Sequence, residues 1–403
     1  MGKKILVVGA TFKDKGSQSM FFVVADELKK RFGDCQIYFA CNGEQYNESN
    51  YIFKKLIYTK QQQDMLLGDR VNLLSNITKL IRKKDDSSAN GEELQKIFSM
   101  LDLIIDISDY VLAAKSSIPE HNAYLNNIKI AKKFNIPIIY MPQSFGPFNN
   151  YSADNMYIMG EMKDLLFYPK AIFAREPEGY DDLIGYFGLD NVRQSPDLVL
   201  QNKGINIMNV CSGAYEPIIP DIKAGNNVAI IPNNHNFSKK VANSSYALYF
   251  RMIEKLLEAK KEVYIFCFAS SDLEVCKKLA SLFSYNDSVH LIEQEFDCIE
   301  YDFIVRYFDF VICSRYHGCV HAYRNLIPSL IIGSTIRYRA LAKLMDQEKY
   351  YFDIRADRCD ERALIDALDS MIKHRDEEIE VIRPRLEEVQ SSNCFDVLDE
   401  LGW

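Results

Sequence analysis

The stretch FVICSRYHGCVHAYRNLIPSLII, residues 310–332, decides the fold. Phe310 to Cys313 is a short apolar run that reads as a buried strand. The polar turn Ser314-Arg315-Tyr316-His317 follows and opens a helical segment, Gly318 to Asn325. Pro328 to Ile332 then returns as a second apolar run. Strand, helix and strand in this order make a unit of parallel sheet covered by helices on its faces.

The same alternation runs outward in both directions. Asn227 to Ile231, Glu262 to Phe268 and Ser288 to Ile292 read as strands, with helices at about Tyr246 to Ala259, Leu273 to Phe283 and Ile299 to Tyr307. In the N-terminal half the strands are Lys4 to Gly9, Gln36 to Ala40, Leu101 to Ile107, Pro137 to Met141 and Ala171 to Ala174. Helices fall at Ser17 to Phe32, about His121 to Phe134, near Asp154 to Leu166 and at Gly179 to Phe187. Asn42 to Glu93 keeps no steady period, apart from helix-like patches near Val71 to Ile81 and a charged turn at Arg82 to Asp86. Between Gln201 and Asn226 the pattern is broken by Gly204, Gly213, Pro217, Pro220 and Gly225, as in a linker. The expected architecture is α/β, with two doubly wound Rossmann-like domains facing a cleft. They span 1–203 and 227–375, joined by the linker 204–226. Glu361 to Val389 reads as two further helices, and 376–403 as a C-terminal helix crossing back to the first domain.

The chain has 403 residues, 48% apolar and 26% charged, ordinary for a globular protein of two or three domains. Lys and Arg number 48 against 56 Asp and Glu, a formal charge of −8. Such a body repels polyphosphate, so nucleic acid is not an expected partner. An anionic ligand must be met by arginines gathered in a cleft. The apolar run Ile5 to Gly9 stops at Thr11-Phe12-Lys13 and is too short for a secretory core or a membrane span. A cytoplasmic protein follows, with at most peripheral contact at the inner membrane face. The ten cysteines form no CxxC pair and read as reduced, buried thiols.

Ligands in open α/β sheets sit at the carboxyl ends of strands, so the loops after each run carry the candidates. At Ser314 to Gly318 a helix N-terminus coincides with Arg315, suited to a carboxylate or phosphate, and His317, suited to proton exchange. His317 and His321 are four apart, but no acidic third ligand stands nearby, and no metal is expected. Gly333 to Arg339 adds Ser334 and Arg337. Pro232 to Asn236 offers Asn234 and His235, for a polar ligand or an Asn-built turn. Gln143 and Ser144, before Gly146, could face sugar hydroxyls. Lys13 to Ser19, with Ser17 and Gln18, is neither GxGxxG nor a P-loop, so no dinucleotide or nucleoside triphosphate is indicated. Asp106 and Asp109 end a strand and fit either a general base or a helix cap. Arg175-Glu176-Pro177 is equally open between structure and function, and Ser195-Pro196-Asp197 reads as a turn.

Taken in order, QSFGP (143–147), AREPEGYDDL (174–183) with FG (187–188), SPD (195–197), SRYHG (314–318) and IIGSTIR (331–337) resemble the polysaccharide pyruvyl transferase family, from about Lys4 to Leu344. The resemblance implies the fold of the two-Rossmann-domain glycosyltransferases. It also implies transfer of the pyruvyl group of phosphoenolpyruvate, as co-substrate and with no cofactor, to two hydroxyls of a sugar. The product is a cyclic ketal on an exopolysaccharide, capsule or lipid-linked precursor. Arg315 and His317 fall on the family's donor-site arginine and histidine, and Arg337 where many members place lysine. On this likeness His317 is the acid, with His235 second and Asp106, Asp109 or a histidine as base. Ser314, Tyr316, Gly318, Asn234 and Ser334 join the two arginines around the donor. Gln143, Ser144, Asp109, Gln18 and Ser17 fall on the acceptor side. The chain departs from the family at Lys15-Gly16-Ser17-Gln18, where many members have Asn-x-Gly-Asp, and at Ser108-Asp109, where many have a double glycine. Two other readings remain: a nucleotide-sugar glycosyltransferase whose arginines hold a diphosphate, and a non-catalytic sugar-binding relative.

Overall fold

The computed structural model describes residues 2–42, 48–68, 91–149, 156–223, 225–238, 242–355 and 359–403. The patches read at Val71 to Ile81 and Arg82 to Asp86, and the helix start at Asp154, lie outside them. The first sheet is β1 (Lys4–Val8), β2 (Gln36–Cys41), β3 (Lys54–Ile57), β4 (Leu103–Asp106), β5 (Ile138–Gln143), β6 (Ala171–Ala174) and β7 (Val192–Gln194). The second is β8 (Asn227–Ile231), β9 (Glu262–Phe266), β10 (Val289–Ile292), β11 (Phe310–Cys313), β12 (Ser329–Ile332) and β13 (Tyr351–Phe352). Their orders are 3-2-1-4-5-6-7 and 10-9-8-11-12-13, and the strand pairs are parallel. This is the doubly wound α/β arrangement the alternation predicts.

The central strands are apolar because helices cover both faces, and every residue of β4, β5, β6, β8, β11 and β12 is buried. One apolar cluster runs through both halves: Met20, Phe21 and Val24 of the helix Lys15–Phe32 belong to it together with Tyr301, Val320 and Phe395. The sequence reading omits β3, β7 and β13. All three are sheet edges, covered on fewer sides and so less apolar. The helix after β11 starts at Tyr316, two residues before the reading placed it.

The first part of the stretch read as a linker packs on the first domain. Tyr51 bridges to Cys211, and Asn209 Nδ2 donates to Asp26 Oδ1 at 2.8 Å. The helical run Glu361–Val389 carries one non-helical residue, His374 (φ −120°, ψ 24°), which divides it into two segments. Beyond it the chain lies against the first domain. Arg31 pairs with Asp396 (2.7 Å) and Asp399 (2.5 Å), Arg193 with Glu400 (2.6 Å), and Cys394 N–H donates to Gln201 Oε1 (3.0 Å). Among the described residues no helix is long and apolar enough to cross a membrane.

Candidate functional site

Strand order reverses beside β1, between β2 and β4, and beside β8, between β9 and β11. These are the points where crevices open in such sheets. The loops leaving them meet at the domain boundary, where Gly16 lies against His317 and Asp109 pairs with Arg337, while Asn233–His235 contacts Ser314 and Asp272 of its own domain. The backbone at Gly16 lies close against His317. A Cβ there would lie 2.0 Å from His317 Nδ1, so only glycine lets the imidazole rest on the start of the first domain's helix. Gln18 Oε1 accepts from Cys298 N–H (2.9 Å), and Ser19 Oγ lies 2.7 Å from His321 Nε2. Lys15 Nζ donates across the boundary to the Phe268 carbonyl.

An alternating row of charges fills the boundary behind His317. Its Nε2 lies 3.6 Å from Asp197 Oδ2. Arg175 Nη1 donates to that same oxygen (2.8 Å), while its Nη2 donates to Asp109 Oδ1 (2.5 Å), Ser144 Oγ (2.7 Å) and the Asp109 carbonyl (3.1 Å). Arg337 of the second domain donates through Nη1 to Asp109 Oδ2 (2.9 Å). The Tyr316 ring has both guanidinium carbons, of Arg175 and Arg337, 4.9 Å from its centroid. Burial acts to raise the Asp109 pKa, but Arg175, Arg337 and His317 outweigh it and hold the carboxyl well below the usual carboxylate range. Burial pushes Glu176 upward against the pull of Arg175. The buried atoms His317 Nε2, Arg337 Nε, Arg175 Nε and Glu176 Oε2 have no hydrogen-bond partner. The unpaired nitrogens of His317, Arg337 and Arg175 suit a small polar anion, while the Glu176 oxygen does not.

The remaining predicted residues divide between this boundary and the interior. Arg315 and Arg337 do not converge on a shared empty seat, because each guanidinium already has its own carboxylate. Arg315 Nε and Nη2 fork onto Asp272 (2.8 and 2.5 Å), and Nη2 also reaches Ser271 Oγ (3.0 Å). Asp272 Oδ1 accepts from Asn234 N–H as well (3.0 Å), and the Asn234 carbonyl Oδ1 is buried and unpaired. His235 stands exposed on the adjoining turn, its backbone N–H donating to Asn233 Oδ1 (3.1 Å). Ser314 is buried, with its hydroxyl 2.8 Å from Tyr249 OH and its carbonyl accepting from Tyr338 OH (3.0 Å). Gly318 lets the helix pass over β11, where a Cβ would lie 2.7 Å from Cys313 Sγ. Ser334 is half-buried and its carbonyl accepts from Arg355 Nη2 (3.2 Å).

On the first-domain side the expectation of sugar-facing side chains changes. Gln143 donates to the Asp106 carbonyl and Oδ1 (both 3.0 Å) and accepts from Tyr124 OH (3.3 Å), so its amide is spent inside the domain. Ser144 bridges Glu176 Oε1 (2.8 Å) and Arg175. Ser17 Oγ accepts from Thr11 N–H (2.8 Å). Asp106 is enclosed and accepts from Ser108 N–H (2.9 Å), Gln143 and Asn127 Nδ2 (3.2 Å), with burial pushing its pKa up to about 6. Buried strand ends carry loop backbones that must be hydrogen-bonded, and these polar residues meet that need. Of the first-domain candidates, Asp109 is the one with a solvent-exposed side chain, at 30%. Arg175, Glu176, Asp197 and Asp272 are the residues the sequence reading did not assign to the site. Asp197 does cap the short helix Leu198–Gln201, accepting from Val199 N–H (2.8 Å), as a turn residue would. Its other oxygen goes to Arg175. The available signal was the position of Arg175 directly after the buried strand β6.

Solved structures share this fold. A UDP-GlcNAc 2-epimerase from Neisseria meningitidis, bound to UDP-GlcNAc, superposes with a TM-score of 0.54 at 12% identity, over 99% of this chain and 98% of that one. A glycosyltransferase from Rickettsia africae ESF-5 gives 0.55 at 10% identity, over 100% and 97%. At such identities the likeness is one of fold, the two-Rossmann-domain architecture. No curated protein sequence matches the chain. The family model of polysaccharide pyruvyl transferase, however, matches residues 14–335, a span that holds Arg175, Asp197, Arg315 and His317 and ends two residues before Arg337. This chain therefore belongs to the polysaccharide pyruvyl transferase family, whose members are transferases.

Proposed function

We propose that this protein transfers the pyruvyl group of phosphoenolpyruvate to two hydroxyls of a sugar in a cell-surface polysaccharide or its lipid-linked precursor, met at the inner membrane face. One observation carries the reading: His317 Nε2 is buried, without a hydrogen-bond partner and 3.6 Å from Asp197, beside an alternating row of arginines and carboxylates built from both domains. The donor's carboxylate and phosphate suit Arg337, whose Nε is unpaired, together with Arg175, which shares the Tyr316 ring with it, and the helix start at Tyr316, which has no side-chain cap.

His317 donates a proton to the methylene carbon and makes it a methyl group. The adjacent carbon gains oxocarbenium character and a sugar hydroxyl adds to it. The carbon–oxygen bond to phosphate breaks and the second hydroxyl closes the ketal. Of the two hydroxyl protons, one balances that taken by carbon and the other leaves on hydrogen phosphate. Asp109 is too strongly paired and Asp106 too enclosed to serve as the base. The neutral His317 left after the first step is the group placed for it. Phosphoenolpyruvate is a co-substrate here, and the scheme asks for no metal.

The test is phosphate release from phosphoenolpyruvate with a galactose-type or mannose-type acceptor, and mass spectrometry for the added pyruvate. His317→Ala and His317→Asn are expected to lower turnover by about a hundredfold or more. Near-native turnover in either variant refutes the role of His317. The second reading, a nucleotide-sugar glycosyltransferase, draws on the fold likeness alone. Thermal stabilisation by a nucleoside diphosphate, and none by phosphoenolpyruvate, would favour it.

A further inference from the structure

Asp109 stands where β4 gives way to its loop, with a left-handed backbone (φ 62°) that glycine adopts far more readily. The loop is pinned there by its carbonyl, which accepts from Ser144 N–H (2.8 Å) and Arg175 Nη2 (3.1 Å). The carboxylate then joins two guanidiniums from different domains, Arg175 at 2.5 Å and Arg337 at 2.9 Å. The Asp197 side chain is 1% exposed, against 30% for Asp109. The protein's own carboxylate thus fills the seat between two arginines and, unlike Asp197, is reached by solvent.

We propose that Asp109 is a resident counter-ion for this seat, and that donor binding is an exchange of anions in which the donor displaces Asp109 from Arg337. The proposal rests on the reading of phosphoenolpyruvate as donor. Bound ligand must replace an ion pair already made, so Asp109 weakens donor affinity and spares the empty site an uncompensated guanidinium on Arg337, since Arg175 keeps Asp197. It also ties the second domain to the first until the donor arrives. Asp109 is in this view a specificity-setting residue, since a monoanion such as pyruvate offers less than the dianionic phosphate ester to drive the exchange.

Asp109→Asn keeps the size and tolerates the left-handed backbone while removing the charge. Asp109→Gly removes the side chain and suits the backbone. Calorimetric titration with phosphoenolpyruvate and steady-state phosphate release are compared with wild type, with circular dichroism as the check on folding. Both variants are expected to show dissociation constant and KM for phosphoenolpyruvate lowered by about tenfold, with a smaller change in kcat. Unchanged or weaker binding in folded variants overturns the exchange and leaves the donor assignment standing. Failure of wild type and variants alike to bind phosphoenolpyruvate overturns the donor assignment, and the exchange with it.

Discussion

Replacing Gly16 with alanine adds one methyl group at the contact between the domains. Built on the existing backbone, its Cβ lies 2.0 Å from His317 Nδ1, 2.3 Å from Cγ and 2.7 Å from Cβ. Ordinary contact begins near 3.4 Å, so ring and helix start must part by about 1.4 Å. The helix itself gains, since alanine is better than glycine inside a helix by up to about 1 kcal/mol. Forced overpacking costs about 1–3 kcal/mol, so the net change in stability is small to moderate. Catalysis carries the larger penalty, because a displacement of about 1 Å in a reacting group lowers rate by about a hundredfold. The assay is kcat/KM for phosphate release alongside chemical denaturation. Gly160→Ala is the control, as a Cβ there meets nothing within 4 Å. A Gly16→Ala enzyme with wild-type kcat/KM would refute the claim that the imidazole must lie against the first domain.

Two further expectations concern the interior. Arg175→Met leaves Asp109, Asp197 and Ser144 without their shared donor, which should destabilise the fold by about 3–5 kcal/mol in denaturant titration. Arg175→Lys should recover only part of this, since an ammonium cannot fork between two carboxylates, and wild-type stability in the Met variant contradicts the reasoning. Asp106, with a pKa raised to about 6 from 3.8, holds its proton more tightly folded than unfolded. It therefore makes stability fall as pH rises from about 4 to 6, by up to about 3 kcal/mol, and adds no further change above that. Asp109, and Asp302 where it pairs with His321 (2.8 Å) and Arg324 (2.6 Å), act in the opposite sense, since their depressed pKa values stabilise the fold above pH 4 and that gain is lost on acidification. The difference between wild type and Asp106→Asn isolates the first effect, and a difference that stays flat between pH 4 and 7 rules it out.

The fold was legible because central parallel strands such as Phe310 to Cys313 must be apolar on both sides, a demand that leaves short, unmistakable runs. Lys54 to Ile57 at a sheet edge carries two lysines and gave no such run. Of the site, His317 and Arg337 were readable as polar residues just beyond strand ends. Arg175 was readable in position but not in meaning, because its partners Asp109, Ser144 and Asp197 lie 66, 31 and 22 residues away. The same limit applies to Gln143 and Ser144. Sequence shows a polar group at a strand end, while only packing decides whether it faces a ligand or a buried backbone. Arg315 shows the converse, a cation whose carboxylate partner, Asp272, comes from the loop after another strand.

The C-terminal return has a mechanical side. Gln201, Asn202 and Lys203, where the chain leaves the first domain, border the same cavity as Ser392, Asn393 and Cys394, where it comes back. A joint of two strands laid side by side behaves as a ribbon and not as a cord: it flexes across its flat face and resists torsion. Because Cys394 N–H is bonded to Gln201 Oε1, torsion at this joint has to shear that bond as well as twist two backbones.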